Sequence, residues 1–280
     1  MESVVNKIQR RYHYAWVVLG GLVKTDFKLR YQGSFLGVAW SVLQPLLTFV
    51  VMYLVFAKFL RMSDGTPTYP VVLLMGISAW QFFVDATNVG LRSIVDRGDL
   101  LRKIHFPNYI VVVSATVGSL ISLGINFIVV LVFALFNHVH FTWRVILLPL
   151  NVLELYILAL GLTLLMATMY TYFRDVSHIW DVLQQLFFYA MPIIYPLSYL
   201  INAVGPHYGP TIAKVMLMNP IAQTIQDIRH NLIAPETQPT VWNTLNHWEY
   251  GLIPVALSVV ILVLGIAVFR KHSYKFAEVM

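Results

Sequence analysis

The chain has 280 residues, 58% of them hydrophobic, 11% charged and none of them cysteine, with a formal excess of six positive charges. A soluble domain carries about 25% charge, so most of this surface faces a solvent other than water, and lipid fits. The missing cysteines exclude disulfides, cysteine metal sites and thiol catalysis.

The first piece, residues 1–34, is read as cytoplasmic and interfacial. Over 12–30, Tyr12, Trp16, Leu19, Val23 and Phe27 recur at helical spacing, with Lys24, Lys28 and Arg30 beside them. The uninterrupted apolar core of this segment, 15–23, is shorter than the roughly 20 residues a crossing needs. It is therefore expected to lie as an amphipathic helix in the cytoplasmic interface. The alternative, a seventh span, carries Lys7, Arg10 and Arg11 across and weakens the charge asymmetry. No cleavable-signal pattern follows the polar start.

Six transmembrane spans follow. The first, 35–57, is free of charge and closed by Lys58 and Arg61. The second, 70–91, contains Asp85, and the third, 109–136, contains no charge. The fourth, 145–172, holds Glu154, and the fifth, 182–200, is interrupted by Pro192 and Pro196. The sixth, 251–269, ends on Arg270 and Lys271. Fourteen Lys and Arg fall in the N-terminal segment, the second and fourth connections and the tail, against five (Lys58, Arg61, Arg144, Lys214 and Arg229) on the other side. The positive-inside rule then places both termini in the cytoplasm.

The outer stretch 201–250 is too long for an ordinary connection. Its part 212–228 is apolar enough to dip into the membrane and is broken at Asn219 and Pro220. A re-entrant pair of short helices and an amphipathic segment on the surface both fit. The fold class is thus all-α, six transmembrane helices with an N-terminal interface helix and an outer re-entrant segment. The whole chain, 1–280, is read as one transmembrane domain: 1–34, spans one to five over 35–200, the outer region 201–250, span six over 251–269 and a cytoplasmic tail 270–280.

No glycine is followed by lysine, so there is no phosphate-cradling P-loop, and neither a His-Glu-x-x-His pattern nor a Gly-x-Ser-x-Gly elbow occurs. No metal site is expected; His138 and His140 read as solvated. Ser114, Gly118, Ser122 and Asn126 form a stripe of small or weakly polar side chains, and Gly33 and Gly37 a shorter one, both suited to close helix approach or to lining a pathway. Asp85 and Glu154 serve either structural hydrogen bonding or a proton relay. The connection 91–108 mixes Arg92, Asp96, Arg97, Asp99, Arg102 and Lys103, a pattern suited to a soluble partner or simply to solvent. Tyr53, Phe56 and Phe59 in span one, and Phe187, Phe188, Tyr189 and Tyr195 in span five, fit interfacial anchoring or the wall of a sugar-stacking channel.

Arg30-Tyr31, Ser34-Phe35-Leu36-Gly37, Trp40 and Leu43-Gln44-Pro45, then Phe173-Arg174-Asp175, Pro192-Ile193-Ile194-Tyr195-Pro196 and Asn219-Pro220, resemble in order the ABC-2 type permeases that export polysaccharides. The resemblance implies a homodimer of this chain with two separate ATPase subunits. The partner holds ATP and Mg, no cofactor sits on this chain, and nucleic acid is not a partner. It further implies a lipid-linked glycan cargo (O-antigen, capsule or teichoic acid) moved outward across a bacterial plasma membrane. Under it, Asp96, Arg97, Asp99, Arg102 and Lys103 dock the ATPase. Lys24, Lys28 and Arg30 admit the lipid pyrophosphate, and the seven aromatics line the channel. An ABC-2 permease for a drug or another lipid shares the topology. An ion-coupled secondary transporter calls for paired intramembrane charges or an internal repeat, and neither is present in the sequence.

Overall fold

A computed structural model describes residues 2–31, 33–103, 106–233, 235–244 and 248–279, with side chains left aside at 2–13, 30, 31, 248, 277 and 279. The described residues contain helices and connections and no strand. Five helical stretches are long and apolar enough to cross a membrane: Gly37–Phe59, Tyr69–Asp96, Tyr109–Phe136, Trp143–Tyr172 and Glu249–Lys275.

Helix α1, Glu2–Tyr31, precedes them and is not one of the five. Its Ala15, Val18, Leu19 and Leu22, spaced to share one helix face, pack on a cluster formed by Ile94, Phe106, Ile110, Val111 and Phe276. Of the stripe read from the spacing, Leu19 joins that contact, and the Tyr12 side chain lies outside the described residues. Trp16 is 69% exposed, because the small Ala15 rather than an indole lets α1 approach.

The first crossing is α2, Trp40–Met52, continued by a π-helical turn over Tyr53–Phe59. Only 11% of its most apolar window is buried, so it lies at the edge of the bundle. α3, Tyr69–Asp96, is the opposite case: every residue from Val71 to Trp80 is buried. A helix apolar all round must sit in the middle. After the short α4, Gly98–Lys103, α3 packs against α5, Tyr109–Phe136, and α6, Leu148–Tyr172.

α12, Leu252–His272, makes the most extensive contact in the structure, with α6. Glycine permits it. A Cβ on Gly161 lies 2.7 Å from the Leu262 backbone, and one on Gly265 lies 2.4 Å from the Gly161 carbonyl oxygen. Close approach of backbones is what associates helices when lipid competes for their apolar faces. By contrast, a Cβ on Gly118 meets nothing within 4 Å, so the stripe on α5 does not buy contact there. Tyr172 and His272 stack edge to face at 6.0 Å at one end, and Leu147 and Leu252 line one cavity at the other. α6 and α12 are therefore parallel, and the chain between them must return along the bundle.

In that return lies the fifth span expected from the sequence, 182–200, read there as interrupted by Pro192 and Pro196. The stretch 182–200 is not a single helix. α7, Val176–Ala190, has 15 residues and stops; Met191–Pro196 is non-helical; and α8, Leu197–Val204, continues with eight residues. Proline supplies the reason, since it lacks an N–H, and its ring disfavours helix in the residue before it. α8 then folds back on α9, Gly209–Leu217, with Leu197, Ala213, Leu217 and Val241 as their shared core.

α10, Pro220–Leu232, opens at Asn219, whose Oδ1 accepts the Ile221 N–H at 2.9 Å as an N-cap. All thirteen residues of α10 are buried, against α3, α6 and α12. The break at Asn219-Pro220 lies where the sequence placed it, and α10 is enclosed by long apolar helices rather than laid on a surface.

Replacing Gly161 with valine forces α6 and α12 apart at their closest point. The expected cost is about 1–3 kcal/mol, read as a lower thermal midpoint in detergent by tryptophan fluorescence, with Gly118→Val as a control that changes little.

Candidate functional site

Three parts of the bundle carry functional groups. The first is the end where α3 meets α4. Asp96, Asp99, Arg102 and Lys103 are exposed there. Arg97 is turned inward instead. Its guanidinium pairs with the Asp26 carboxylate of α1 and donates to Ser114 Oγ of α5 at 3.2 Å. Burial holds the Arg97 pKa below the ordinary guanidinium range. One side chain thus joins α1, the α3–α4 corner and α5. Asp26 was not singled out in the sequence; its only signal is an acid within a run of basic residues. Lys24 and Lys28 are exposed on α1, one turn apart, and the Arg30 side chain lies outside the described residues.

The second part is a groove of about 300 Å³ between α2, α3 and α5, lined by Ser41, Gln44, Gln81, Asp85, Ser122 and Asn126 among others. Asp85 accepts from Gln81 Nε2 at 2.9 Å. Glu154 lines a different cavity, beside α10 and α12. The two intramembrane acids are not brought together.

The third part is the broken segment and the aromatics around it. α7 is tied to α3 by polar side chains. Trp180 Nε1 donates to Thr87 Oγ1 at 3.1 Å, and Gln184 Nε2 donates to the same oxygen at 3.0 Å and to Asn88 Oδ1 at 3.1 Å. Phe188 meets Trp80 at 5.9 Å and Phe187 meets Trp180 at 6.5 Å, so both rings are half core. Tyr53 stacks on Phe49 at 5.7 Å, and Tyr53 and Phe56 pack on the same core. Phe59, 84% exposed, and Tyr189, 52% exposed, are the aromatics that present free faces. The Tyr195 hydroxyl donates to the Tyr189 and Ala190 carbonyls at 3.3 Å each, covering the end of α7.

The break itself is held by Arg229 of α10, which is 2% exposed. Its Nη1 donates to Pro192 O at 2.6 Å and to Gln226 Oε1 at 3.0 Å. Nη2 donates to Ile193 O, and Nε donates to Val72 O at 3.0 Å. Gly76 makes room, since a Cβ there meets the guanidinium at 1.8 Å. Tyr69 completes the set, its hydroxyl donating to Ile194 O at 2.9 Å. Sequence counting assigned Arg229 to an outer connection. Nothing in its neighbours signals that it is a buried donor to three distant carbonyls.

A bundle of long apolar helices with an unwound, side-chain-capped segment and a charged end defines a multi-pass membrane protein. The profile of the ABC-2 type transporter family matches residues 18–232, and the chain belongs to that family. It is similar to the O-antigen export system permease protein RfbA of Myxococcus xanthus, with 29% identity over 278 residues, 98% of this chain and 99% of that protein. The protein of the same name from Klebsiella pneumoniae is 25% identical over 278 residues, with the same coverage. The chain is thus a transport subunit rather than an enzyme, and the family implies an ABC ATPase as partner.

Two outcomes follow from this geometry. Arg229→Met leaves the Pro192 and Ile193 carbonyls without their donor, at about 1–3 kcal/mol for each unpaired group, and removes the second bond to the helical Val72 carbonyl; thermal unfolding in detergent measures it. Asp26→Arg and Arg97→Asp are each expected to destabilise by about 1–3 kcal/mol, and the double exchange to recover part of the loss, a coupling read by a double-mutant cycle.

Proposed function

We propose that this chain is the permease subunit of an ATP-driven exporter that moves a lipid-linked polysaccharide outward across a bacterial plasma membrane. The observation that carries the reading is its end-to-end similarity to two proteins named as O-antigen export permeases. O-antigen is the cargo class this favours; teichoic acid and capsule share the lipid-linked chemistry.

In this reading both termini are cytoplasmic, and the α7–α8 segment supplies a sixth, broken crossing. It is consistent with α6 and α12 being parallel and with fourteen of nineteen basic residues falling on one side. Two copies of the chain assemble with two ATPase subunits, which bind ATP and Mg. Support for the second copy comes from the two peripheral elements. α2 exposes Leu47 and Val51, its π-helical continuation exposes Leu54, and α7 exposes Ile179, Val182 and Leu186.

The exposed charges of α3–α4, Asp96, Asp99, Arg102 and Lys103, receive the ATPase. Arg97 acts behind them, as a strut from that corner to α1. Movement of the corner is then transmitted to the helix that carries Lys24, Lys28 and Arg30. Those cations meet the pyrophosphate of the carrier lipid at the cytoplasmic interface, Lys as a point charge and Arg as a fork. Phe59 and Tyr189 offer free ring faces to passing sugars, while Tyr53, Phe56, Phe187, Phe188 and Tyr195 shape the wall behind them. The cap that Arg229 places on the break keeps an unwound segment stable beside the pathway.

Reversing the exposed charges, with Asp99→Lys and Arg102→Glu together, is expected to abolish surface polysaccharide while leaving membrane insertion and the thermal midpoint unchanged. Normal export in that variant removes the docking assignment. Lys24→Gln with Lys28→Gln is expected to lower the stimulation of ATPase activity by lipid-linked glycan about tenfold, the loss of roughly one charge-assisted contact. Equal stimulation discards the pyrophosphate role. Cargo is read directly by restoring surface glycan to cells lacking the chromosomal copy.

A further inference from the structure

A cavity of about 550 Å³ is separate from the groove and from the broken segment. It lies between the first halves of α6 and α12 with α10 as its floor, at the end of the bundle away from α4. One side is apolar, formed by Leu147, Leu150, Leu153, Val255 and Val259. Leu150 and Leu153 are exposed on the outer surface of the bundle, so this side opens toward lipid. The floor is polar and incompletely bonded.

Its cation is Arg144. The Gln238 carbonyl accepts from His230 Nδ1 at 2.8 Å, which leaves the proton on that nitrogen and the lone pair on Nε2. Arg144 Nη1 donates to this Nε2. The guanidinium is therefore held in place by a neutral ring. Among the described residues it has no carboxylate within ion-pair distance, and its Nε and Nη2 have no partner. An arginine kept for stability ordinarily pairs with an acid when two acids line the same cavity, and Glu154 and Asp227 both do. They are occupied otherwise, and only in part. Asp227 Oδ2 accepts from Trp242 Nε1 at 3.0 Å and from Gln223, while Asp227 Oδ1 and Glu154 Oε1 are buried acceptors with no donor. Asp227 is 3% exposed.

The free nitrogens of Arg144 and two incompletely paired carboxylates, Glu154 and Asp227, thus belong to the lining of one cavity whose wall is hydrocarbon. A buried polar group without a partner costs about 1–3 kcal/mol, and the ligand that removes both deficits must bring an anionic acceptor and an N–H donor on one apolar chain. We propose that this cleft binds a phospholipid with a primary ammonium headgroup. The phosphate accepts from the free nitrogens of Arg144, a fork suited to phosphate oxygens. The ammonium donates to Glu154 and Asp227, and an acyl chain lies along Leu150, Leu153 and Val259. Charge complementarity selects this occupant: a phosphate alone leaves the acids unmatched, and a neutral amphiphile leaves both sets unmatched.

The test uses the full chain purified in detergent with its ATPase partner, supplied with equal amounts of phosphatidylethanolamine, phosphatidylglycerol and phosphatidylcholine, and read by native mass spectrometry. Phosphatidylcholine carries the same phosphate but no N–H on its ammonium, and phosphatidylglycerol carries no ammonium. The expected result is retention of phosphatidylethanolamine about tenfold above either, as one charge-assisted pair provides. Arg144→Gln is expected to lower that retention about tenfold, and Glu154→Gln to erase the preference over phosphatidylcholine. Leu150→Trp fills the cleft from its lipid-facing side, far from the packed core. It is expected to lower retention with an unchanged thermal midpoint, which keeps the test decisive if a polar variant fails to fold. Equal retention of the three lipids, retention unaffected by Leu150→Trp, or displacement of the lipid by inorganic phosphate alone overturns the proposal.

Discussion

Hydrocarbon supplies no hydrogen-bond partner, so every peptide group inside it must be satisfied from within the protein. Continuous helices such as α3 and α5 meet that demand automatically. The unwound segment Met191–Pro196 does not satisfy its own carbonyls: the buried Arg229 guanidinium donates to Pro192 O and Ile193 O and reaches Val72 O, and the Tyr69 hydroxyl donates to Ile194 O. The rest of the fold is arranged around that reach. Gly76 must be a glycine for the side chain to pass. α10 must be buried between α3, α6 and α12 to deliver it. Asn219 and Pro220 must start α10 where they do.

The same demand explains why polar side chains concentrate on α10 and α7 although both pack among apolar helices. Gln184 and Trp180 converge on Thr87, and Asn231 donates to Asn151 at 2.8 Å. These bonds specify one register between helices whose apolar faces alone accept several. Where such matching is incomplete, as at Glu154 Oε1 and Asp227 Oδ1, the molecule has a place for something else.

The opposite end of the bundle works through charge. Arg97 is spent on Asp26 and Ser114, while its neighbours Asp96, Asp99, Arg102 and Lys103 remain exposed. The buried pair ties the α3–α4 corner to α1, directly behind the exposed set.

Much of this was legible in the residues. Long charge-free runs and the prolines at 192, 196 and 220 are local features, and they report long apolar helices and breaks directly, because each acts through the solvent or the backbone next to it. The mixed-charge corner and the exposed lysines of α1 were legible for the same reason. What the tertiary structure decided is which residues meet across distance. Arg229 looked like a loop cation and is a core donor. Arg97 looked like a surface charge and is a strut. Close backbone approach, one of the two readings of the Gly118 stripe, occurs at Gly161 and Gly265 instead. Partners separated by 36 to 157 residues, as for Arg229, leave no periodic trace in a sequence, since nothing local distinguishes a cation that meets water from one that meets three carbonyls.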